Sequence, residues 1–317
     1  MLPLAGQQGA PSAPQQEEET LITVDVDLVN VLVSVRDKKG RLIGDLAADD
    51  FVVSEEGRPQ TIKHFARETD LPLTIGLLVD VSGSQRNLIE EERRAASQFF
   101  SHVLRKKDMA FLISFGPEAE LLQDYTNSIA LLKAGLEDLR ASSGFTGLHP
   151  GPVPTSKVRG TILYDAVYLA AAEKLHREVG RKAIVLITDG VDVGSRLKLE
   201  QAVEAAQKAD AIIYSIYYAD PGAYSRGGMM MGYASDSALK KMSEETGGRL
   251  FKVSRKYSLT DIFDEIQQEM RSQYAIGYSP DNPAKDGGYR RVDIRTANKE
   301  YKVQARKGYY AIKHGRH

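Results

Sequence analysis

Continuous apolar runs that alternate with helical segments constrain the fold of this chain more than any other sequence feature. LTIGLLVD, DMAFLISFG and KAIVLITDG have the length of strands, and apolar residues recur between them at helical spacing. A strand is apolar along its whole length when both of its faces are covered, which is typical of parallel sheets. Strands that alternate with helices form such sheets. We therefore predict a doubly wound α/β domain with a mostly parallel sheet.

The two flanks of this domain have the period of strands instead. In residues 20–70 and 273–317, apolar and polar residues alternate without helical spacing. Alternation requires one buried face, and neither flank has a helix that covers it. Each flank offers about three strands, which is too few for an independent pair of sheets. We therefore predict that both flanks form a single β-sandwich, into which the α/β domain is inserted.

The chain is expected to divide into four segments. Residues 1–19 form a polar leader rich in Gln, Pro, Gly and Glu, a composition that favours disorder. This leader lacks the basic and apolar regions of an intact signal peptide. The first part of the sandwich follows at 20–70, the α/β domain at 71–272, and the second part with a short tail at 273–317.

Composition excludes several classes of function. The chain has 42 basic and 43 acidic residues without a long block of either sign, so it shows no footprint of nucleic-acid binding. It has no cysteine, which excludes disulfides, thiol catalysis and thiolate metal sites. No stretch of the sequence approaches the ~18 apolar residues of a transmembrane segment, so we expect none.

The first apolar run ends in a motif of oxygen-bearing side chains. Asp80, Ser82 and Ser84 form the pattern Asp-x-Ser-x-Ser at the end of the run. In open α/β sheets, ligands bind outside the carboxyl ends of the strands, so the motif lies where a binding site is expected. Taken alone the motif is a weak signal, because a Ser-rich turn that caps the next helix has the same pattern.

Two further residues strengthen the motif. Thr161 stands at the start of a predicted helix, and Asp189 ends the apolar run KAIVLITDG. With the motif they make five oxygen-bearing residues at strand ends or in the loops beside them. Hydroxyl and carboxylate oxygens suit Mg²⁺, and the chain has neither a cysteine nor a histidine pair for a softer metal.

This order of residues resembles the von Willebrand factor A family and its metal-ion-dependent adhesion site (MIDAS). The resemblance extends over the predicted α/β domain and implies a Rossmann-like fold. It implies that Ser82 and Ser84 bind the metal directly and that Thr161 binds it directly or through water. Asp80 and Asp189 would hold the metal mainly through waters and hydrogen bonds. Mg²⁺ is the implied cofactor, with Mn²⁺ or Ca²⁺ as alternatives.

The resemblance also implies a function. Neutral hydroxyl ligands leave much of the charge of the cation uncompensated, so an open coordination position attracts an acidic group. The expected partner is a protein or peptide that presents an Asp or Glu carboxylate. The chain is therefore interpreted as a metal-dependent adhesion or protein-binding module and not as an enzyme.

The flanks resemble a narrower group, the von Willebrand factor A-related proteins of acidobacteria. The resemblance rests on VNVLVSVRDKKGRLIGDLAADDFVVSEEGRPQTIKHF before the domain and on RSQYAIGYSP and KVQARKGYY after it. It implies a bacterial source and a secreted or cell-envelope location, with the signal peptide absent from this sequence. Two features depart from the pattern of the family. Gln85 replaces the usual Met after the motif, and a long Pro-rich segment precedes Thr161.

Two alternative functions remain open from the sequence. Asp80 is placed to serve as the nucleophile of a phosphoaspartate-type hydrolase, although such enzymes usually have a second acid where this chain has Ser82. The sequence has no other motif of nucleophilic or nucleotide-dependent catalysis. A structural scaffold with a non-functional metal site has the same sequence pattern.

Two acids and two loops near the motif residues allow more than one interpretation. Asp165 and Asp192 are either cation ligands or hydrogen-bond acceptors close to the site, or acids that cap a helix or face solvent. The loops at 141–160 and 220–236 are long for a compact domain, and such loops are usually functional or mobile.

Overall fold

Antiparallel, parallel and again antiparallel strands follow one another along the chain. The computed structural model describes residues 28–67, 71–141, 160–220 and 236–312. The predicted leader at 1–19 and most of the loops at 141–160 and 220–236 lie outside the described residues.

Three segments of the chain contribute strands. The first contributes β1 (Val29–Arg36), β2 (Phe51–Glu55), β3 (Arg58–Gln60) and β4 (Ile62–Arg67). The second contributes β5 (Leu73–Asp80), β6 (Met109–Phe115), β7 (Ala119–Thr126), β8 (Arg181–Thr188), β9 (Ala211–Tyr217) and β10 (Leu250–Lys252). The third contributes β11 (Tyr274–Tyr278), β12 (Tyr289–Thr296), β13 (Lys302–Ala305) and β14 (Gly308–Tyr310).

The second segment forms a central sheet in the order β10-β9-β8-β5-β6-β7. Neighbouring strands in this sheet are parallel, except that β6 and β7 are antiparallel. Every residue of β5 and β8 is buried, which explains the apolar runs within these strands. The prediction of an α/β domain with a mostly parallel sheet is confirmed.

Helices cover both faces of the central sheet. They are α1 (Ile89–Val103), α2 (Ile129–Glu137), α3 (Leu163–Tyr168), α4 (Leu199–Lys208), α5 (Asp236–Thr246) and α6 (Leu259–Met270). Side chains of α1, α2 and α6 form one hydrophobic cluster with one face of the sheet, and those of α3, α4 and α5 form a second cluster with the other face. This layering leaves the carboxyl ends of the parallel strands open for the site.

Three elements differ from the expectations drawn from the sequence. The apolar pattern does not predict β7, because most residues of this edge strand are only partly buried. The helix predicted from Thr161 is regular only in α3 and continues as a π-helical turn at Leu169–Lys174 and a 3₁₀ turn at Leu175–Arg177. The single strand predicted from YKVQARKGYYA is divided into β13 and β14, because the two parts pair with strands of different sheets.

The first and third segments pair with each other in two antiparallel sheets. Their orders are β13-β1-β11-β4 and β14-β12-β2-β3. β1 pairs with β11 and β13, and β2 pairs with β12, so the ladders join the two flanks. One hydrophobic cluster includes Val31 and Ile276 of the first sheet and Val53 and Ile294 of the second. The boundaries of the domain division stay a prediction.

No described helix is both long and apolar enough to span a membrane.

Candidate functional site

The Asp-x-Ser-x-Ser motif forms the turn that leads from β5 to α1. Asp80 is the last residue of β5 and has no exposed surface. Its carboxylate accepts a hydrogen bond from the Ser82 amide at 2.9 Å. The other carboxylate oxygen accepts a hydrogen bond from the Thr188 hydroxyl at 2.6 Å. Thr188 precedes Asp189 in LITDG, but its position in the sequence does not show that its hydroxyl contacts Asp80. These two donors hold the Asp80 carboxylate at the end of the sheet.

The motif turn is joined to the end of β8 through hydroxyl groups. The Ser82 and Ser84 hydroxyls lie 3.0 Å apart. The Ser84 hydroxyl donates to the Asp189 carboxylate at 2.6 Å. β5 and β8 are neighbouring parallel strands, so their carboxyl ends meet at the same edge of the sheet. The structure thus brings Asp80, Ser82, Ser84 and Asp189 into one cluster of oxygen atoms, and the assignment of a metal to it stays a prediction.

Thr161 lies in a loop beside this cluster. Its carbonyl oxygen accepts hydrogen bonds from the amides of Val193 and Gly194, which follow β8, at 3.1 and 3.0 Å. The next residue, Ile162, donates from its amide to the carbonyl oxygen of Gly116, which follows β6, at 2.9 Å. β5 lies between β6 and β8 in the sheet, so Thr161 is held across the same edge as the cluster. Its described hydrogen bonds are backbone contacts and do not join it to the other four residues.

Two glycines allow the loop of Thr161 to approach the loop after β8. A Cβ atom at Gly160 would lie 2.6 Å from the Val193 Cβ atom. A Cβ atom at Gly194 would lie 2.5 Å from the Gly160 carbonyl oxygen. Both distances are too short for a side chain, so this approach depends on glycine at both positions. The sequence shows Gly160 directly before Thr161, but not its close contact with Val193.

Two carboxyl groups at the site are disfavoured in their charged form. Burial is the largest cause that raises the pKa of Asp80 to about 7, and the negative charge of Asp189 raises it further. Burial also raises the pKa of Glu92 well above its ordinary value, with contributions from Asp80, Glu91 and Asp189. The main groups that shift these two pKa values, within the described part of the chain, include no positively charged side chain.

This concentration of negative charge fits a divalent cation. Hydroxyl and carboxylate oxygens are the donors that hard cations prefer, and a cation between carboxylates removes their repulsion. Within residues 28–67, 71–141, 160–220 and 236–312, no group of three or more His, Cys, Asp or Glu side chains is arranged to hold a metal ion. A site here would therefore combine two carboxylates with hydroxyl groups.

Gln85, the departure from the family pattern, ties the motif turn to the next strand. Its side chain is fully buried, and its Nε2 atom donates to the Tyr218 carbonyl oxygen at 3.1 Å. Tyr218 directly follows β9, and its amide donates to the Thr188 carbonyl oxygen at 2.9 Å. Gln85 thus stabilises the turn that carries Ser82 and Ser84.

Asp165 and Asp192 hold the loop that follows β8. The Asp165 carboxylate accepts hydrogen bonds from the amides of Arg196 and Leu197, the shortest at 2.9 Å. The Asp192 carboxylate accepts one from the Ser195 hydroxyl at 2.5 Å. Burial raises the pKa of Asp192 above its ordinary value. These contacts support a structural role for both acids.

Comparisons with known proteins indicate the class of fold. No protein-family model matches the chain. In sequence it is similar to an uncharacterized protein of Borreliella burgdorferi, with 22% identity over 213 residues that cover 64% of this chain. The chain spans 58% of the length of that relative.

Solved structures show the fold more directly. Proximal thread matrix protein 1 from the mussel byssus, with a zinc-occupied MIDAS motif, has a TM-score of 0.50 and 15% identity, over 67% of this chain and 48% of that chain. The vWF domain of the pilus tip protein Mfa5 from Porphyromonas gingivalis has a TM-score of 0.43 and 14% identity, over 63% and 95%. The chain has a von Willebrand factor A-like fold. The narrower resemblance to acidobacterial proteins receives no support from these comparisons.

Proposed function

We propose that this chain is a metal-dependent adhesion or protein-binding module that captures an acidic group of a partner. The cation would be held by Asp80, Ser82, Ser84, Thr161 and Asp189. When bound, it supplies a positively charged position for a carboxylate oxygen of the partner. The partner is a protein or peptide that presents an Asp or Glu side chain.

One hydrogen bond is the main observation that supports this proposal. The Ser84 hydroxyl donates to Asp189 at 2.6 Å, although the two residues are 105 positions apart in the sequence. This bond joins the turn after β5 to the end of β8 and completes the cluster of oxygen atoms. The hydroxyl groups would bind the cation without neutralising it, and Asp80 and Asp189 would hold it mainly through waters and hydrogen bonds. Much of its positive charge is then left to attract an anionic group of the partner.

The identity of the cation is proposed from the chemistry of the donors. Oxygen donors favour Mg²⁺, with Mn²⁺ or Ca²⁺ as alternatives. The zinc-occupied MIDAS motif of the mussel protein supports a divalent cation at this edge of the fold. Zinc also accepts oxygen ligands, so it belongs among the cations to be tested.

A binding function agrees better with Asp80 than an enzymatic one. A phosphoaspartate mechanism needs a carboxylate oxygen that is free to attack phosphorus. The Asp80 side chain is fully buried, and its two oxygens accept hydrogen bonds from Ser82 and Thr188. We therefore propose that the chain is not an enzyme.

The test is a thermal melt of the wild-type protein and of Asp80→Ala and Ser82→Ala, each with Mg²⁺, Mn²⁺, Ca²⁺, Zn²⁺ or EDTA. Mg²⁺ should raise the Tm of the wild type and leave the Tm of both variants unchanged, because each substitution removes an oxygen atom that would hold the cation. At 100 times its Kd, a ligand that binds only the folded state adds about 2.7 kcal/mol. The same Mg²⁺ response in all three proteins contradicts the proposal.

Partner capture is tested on a peptide array in which each Asp- or Glu-containing peptide has an Asn or Gln counterpart. Binding should need the acidic member of each pair and should be lost in EDTA, because the metal provides the contact. Acetate should compete with it. Binding that persists in EDTA would instead support a scaffold.

We further propose that the two flanks together form one β-sandwich. We also propose that the protein is secreted or attached to the cell envelope. The shared hydrophobic cluster of the two antiparallel sheets supports the sandwich. Hydrogen exchange should then show one cooperative opening for residues 28–67 and 274–312, whereas separate openings contradict it. Fractionation of the source cells, with an antibody against the chain, tests the location.

A further inference from the structure

Glu92 has a buried carboxylate that the contacts of the fold do not explain. The residue has no exposed surface, and neither of its carboxylate oxygens has a hydrogen-bond partner in the described part of the chain. Burying a carboxylate without a partner is strongly unfavourable, so such a group requires an explanation. The neighbouring acids are satisfied. Glu90 pairs with Arg93 at 2.7 Å, and Glu91 accepts a hydrogen bond from the Tyr218 hydroxyl.

Glu92 lies at the end of α1 that follows the motif turn. α1 begins at Ile89, a few residues after the motif turn, and Glu92 lies in its first turn. Glu92 shares the buried face of α1 with Ile89 and Ala96, and this face packs against the central sheet. The negative charges of Asp80 and Asp189 both act on it and raise its pKa. Glu92 is therefore buried at the end of α1 that follows the motif turn, where the charges of both acids of the oxygen cluster act on it.

We propose that Glu92 is a further residue of the cation site, where its carboxylate accepts hydrogen bonds from water in the hydration shell of the divalent cation. The proposal rests on the metal site described under the proposed function. A direct bond to the metal is disfavoured, since no described group of three acidic side chains is arranged as metal ligands. Mg²⁺ usually keeps several of its waters in protein sites. Because Glu92 is fully buried, it leaves the solvent side of the cation free for the partner.

The proposal is tested by calorimetric titration of Mg²⁺, and separately Mn²⁺, into the full-length wild type, Glu92→Gln and Glu90→Gln. Glu92→Gln should weaken cation binding about 10- to 100-fold, the effect usual for residues that hold a ligand of the metal in place. Glu90→Gln changes an exposed acid of the same helix turn and should bind as the wild type does. Equal affinity in all three proteins overturns the proposal.

A second readout separates this role from a purely structural one. In EDTA, Glu92→Gln should have a higher Tm than the wild type, because an amide avoids the free-energy cost of burying an ionisable carboxyl group where the charges of Asp80 and Asp189 oppose its ionisation. The rise in Tm on adding Mg²⁺ should become smaller. A structural carboxylate would give the opposite pattern, with a lower Tm in EDTA and an unchanged response to Mg²⁺. Glu92→Met, which is apolar and of similar length, serves if the Gln variant does not fold.

Asp80→Ala in the same titration separates the test of Glu92 from the test of the cation site itself. If Asp80→Ala abolishes cation binding while Glu92→Gln does not change it, the cation site stands and the role of Glu92 is refuted. If Asp80→Ala binds Mg²⁺ as the wild type does, the proposed function itself fails.

Discussion

Asp80 is held by two hydrogen bonds in a position that is unfavourable for its charge. Ser82 and Thr188 fix its carboxylate, while burial and the nearby Asp189 raise its pKa. A cation at the proposed site would resolve this conflict, because it would compensate both carboxylates at once. The sequence motif identifies Asp80 and Asp189 as candidates from their places at strand ends. It does not identify Glu92, which is one acid in a run of three at Glu90–Glu92.

The raised pKa of Asp80 predicts how the stability of the metal-free protein depends on pH. Its folded-state pKa of about 7 lies above the ordinary value of 3.8. Below about pH 4 the group is protonated in both states, so its stabilising contribution is fully present. As the pH rises from about 4 to 7, the unfolded chain releases the proton first. Stability should then fall by up to about 1.4 kcal/mol per pH unit.

Urea denaturation in EDTA between pH 4.5 and 8 measures this dependence. Asp80→Asn should show a shallower fall over the same range, because the amide does not titrate. Parallel curves for the wild type and the variant would show that Asp80 does not titrate near pH 7.

At the scale of elements, the site depends on the ends of three neighbouring strands. The motif turn follows β5, and Asp189 follows β8. Gly116, which follows β6, holds the loop of Thr161. The sequence predicts these strands well, because both faces of each are covered and their residues are apolar throughout. It does not predict β7, which lies at the sheet edge and is only partly buried. A partly buried edge strand such as β7 lacks the continuous apolar run that burial on both faces produces.

The glycine contact between the Thr161 loop and the loop after β8 yields a prediction at this scale. Gly160→Ala places a Cβ atom 2.6 Å from the Val193 Cβ atom, so the loop that carries Thr161 must move. We expect Mg²⁺ affinity to fall about tenfold, together with an overpacking cost of ~1–3 kcal/mol. Calorimetric titration and thermal melts measure the two effects.

Gly44→Ala is the matched control, because a Cβ atom at Gly44 would have no other atom within 4 Å. It should leave Mg²⁺ binding unchanged. If Gly160→Ala binds Mg²⁺ as well as this control does, Thr161 does not depend on the glycine contact.

At the scale of the whole molecule, a buried ion cluster connects the flanks to the α/β domain. Arg36 at the end of β1 pairs with Glu269 of α6, which has no exposed surface, and with Glu265 at 3.2 Å. Gln304 of β13 donates to Glu269 at 2.7 Å. Both flanks therefore contact the last helix of the α/β domain through charged or polar groups that are largely removed from water.

Removing the Arg36 side chain from this ion cluster should lower the stability of the protein. Arg36→Leu leaves the buried Glu269 with only the more distant Arg249, at 3.9 Å, as a cationic partner, and we expect a loss of about 3–5 kcal/mol in the free energy of unfolding. The double variant Arg36→Leu, Glu269→Leu should lose less than the single one, because it leaves no buried carboxylate without a close cationic partner. Urea denaturation measures all of these changes.

Lys38→Leu provides the comparison. Lys38 pairs with Glu300, but both side chains are mostly exposed, so its loss should cost less than about 1 kcal/mol. Should Arg36→Leu cost no more than Lys38→Leu, the buried cluster does not stabilise the attachment of the flanks.

Sequence alone determined the elements whose pattern is local. The apolar runs of β5, β6 and β8 reflect burial on both faces, and Asp80, Ser82, Ser84 and Asp189 stand at or just beyond the ends of these strands. Because parallel strands end at the same edge of a sheet, their meeting could be predicted without coordinates.

Only the tertiary structure decided which distant segments meet. The alternation in the flanks shows that each needs a buried face, but not that β1 lies between β11 and β13. In the same way, the sequence shows Glu92 as one acid among three, and only the packing of α1 on the sheet buries it where the charges of Asp80 and Asp189 act on it. The reason is that burial and charge coupling are properties of contacts between residues far apart in the chain, which the type of a single residue does not specify.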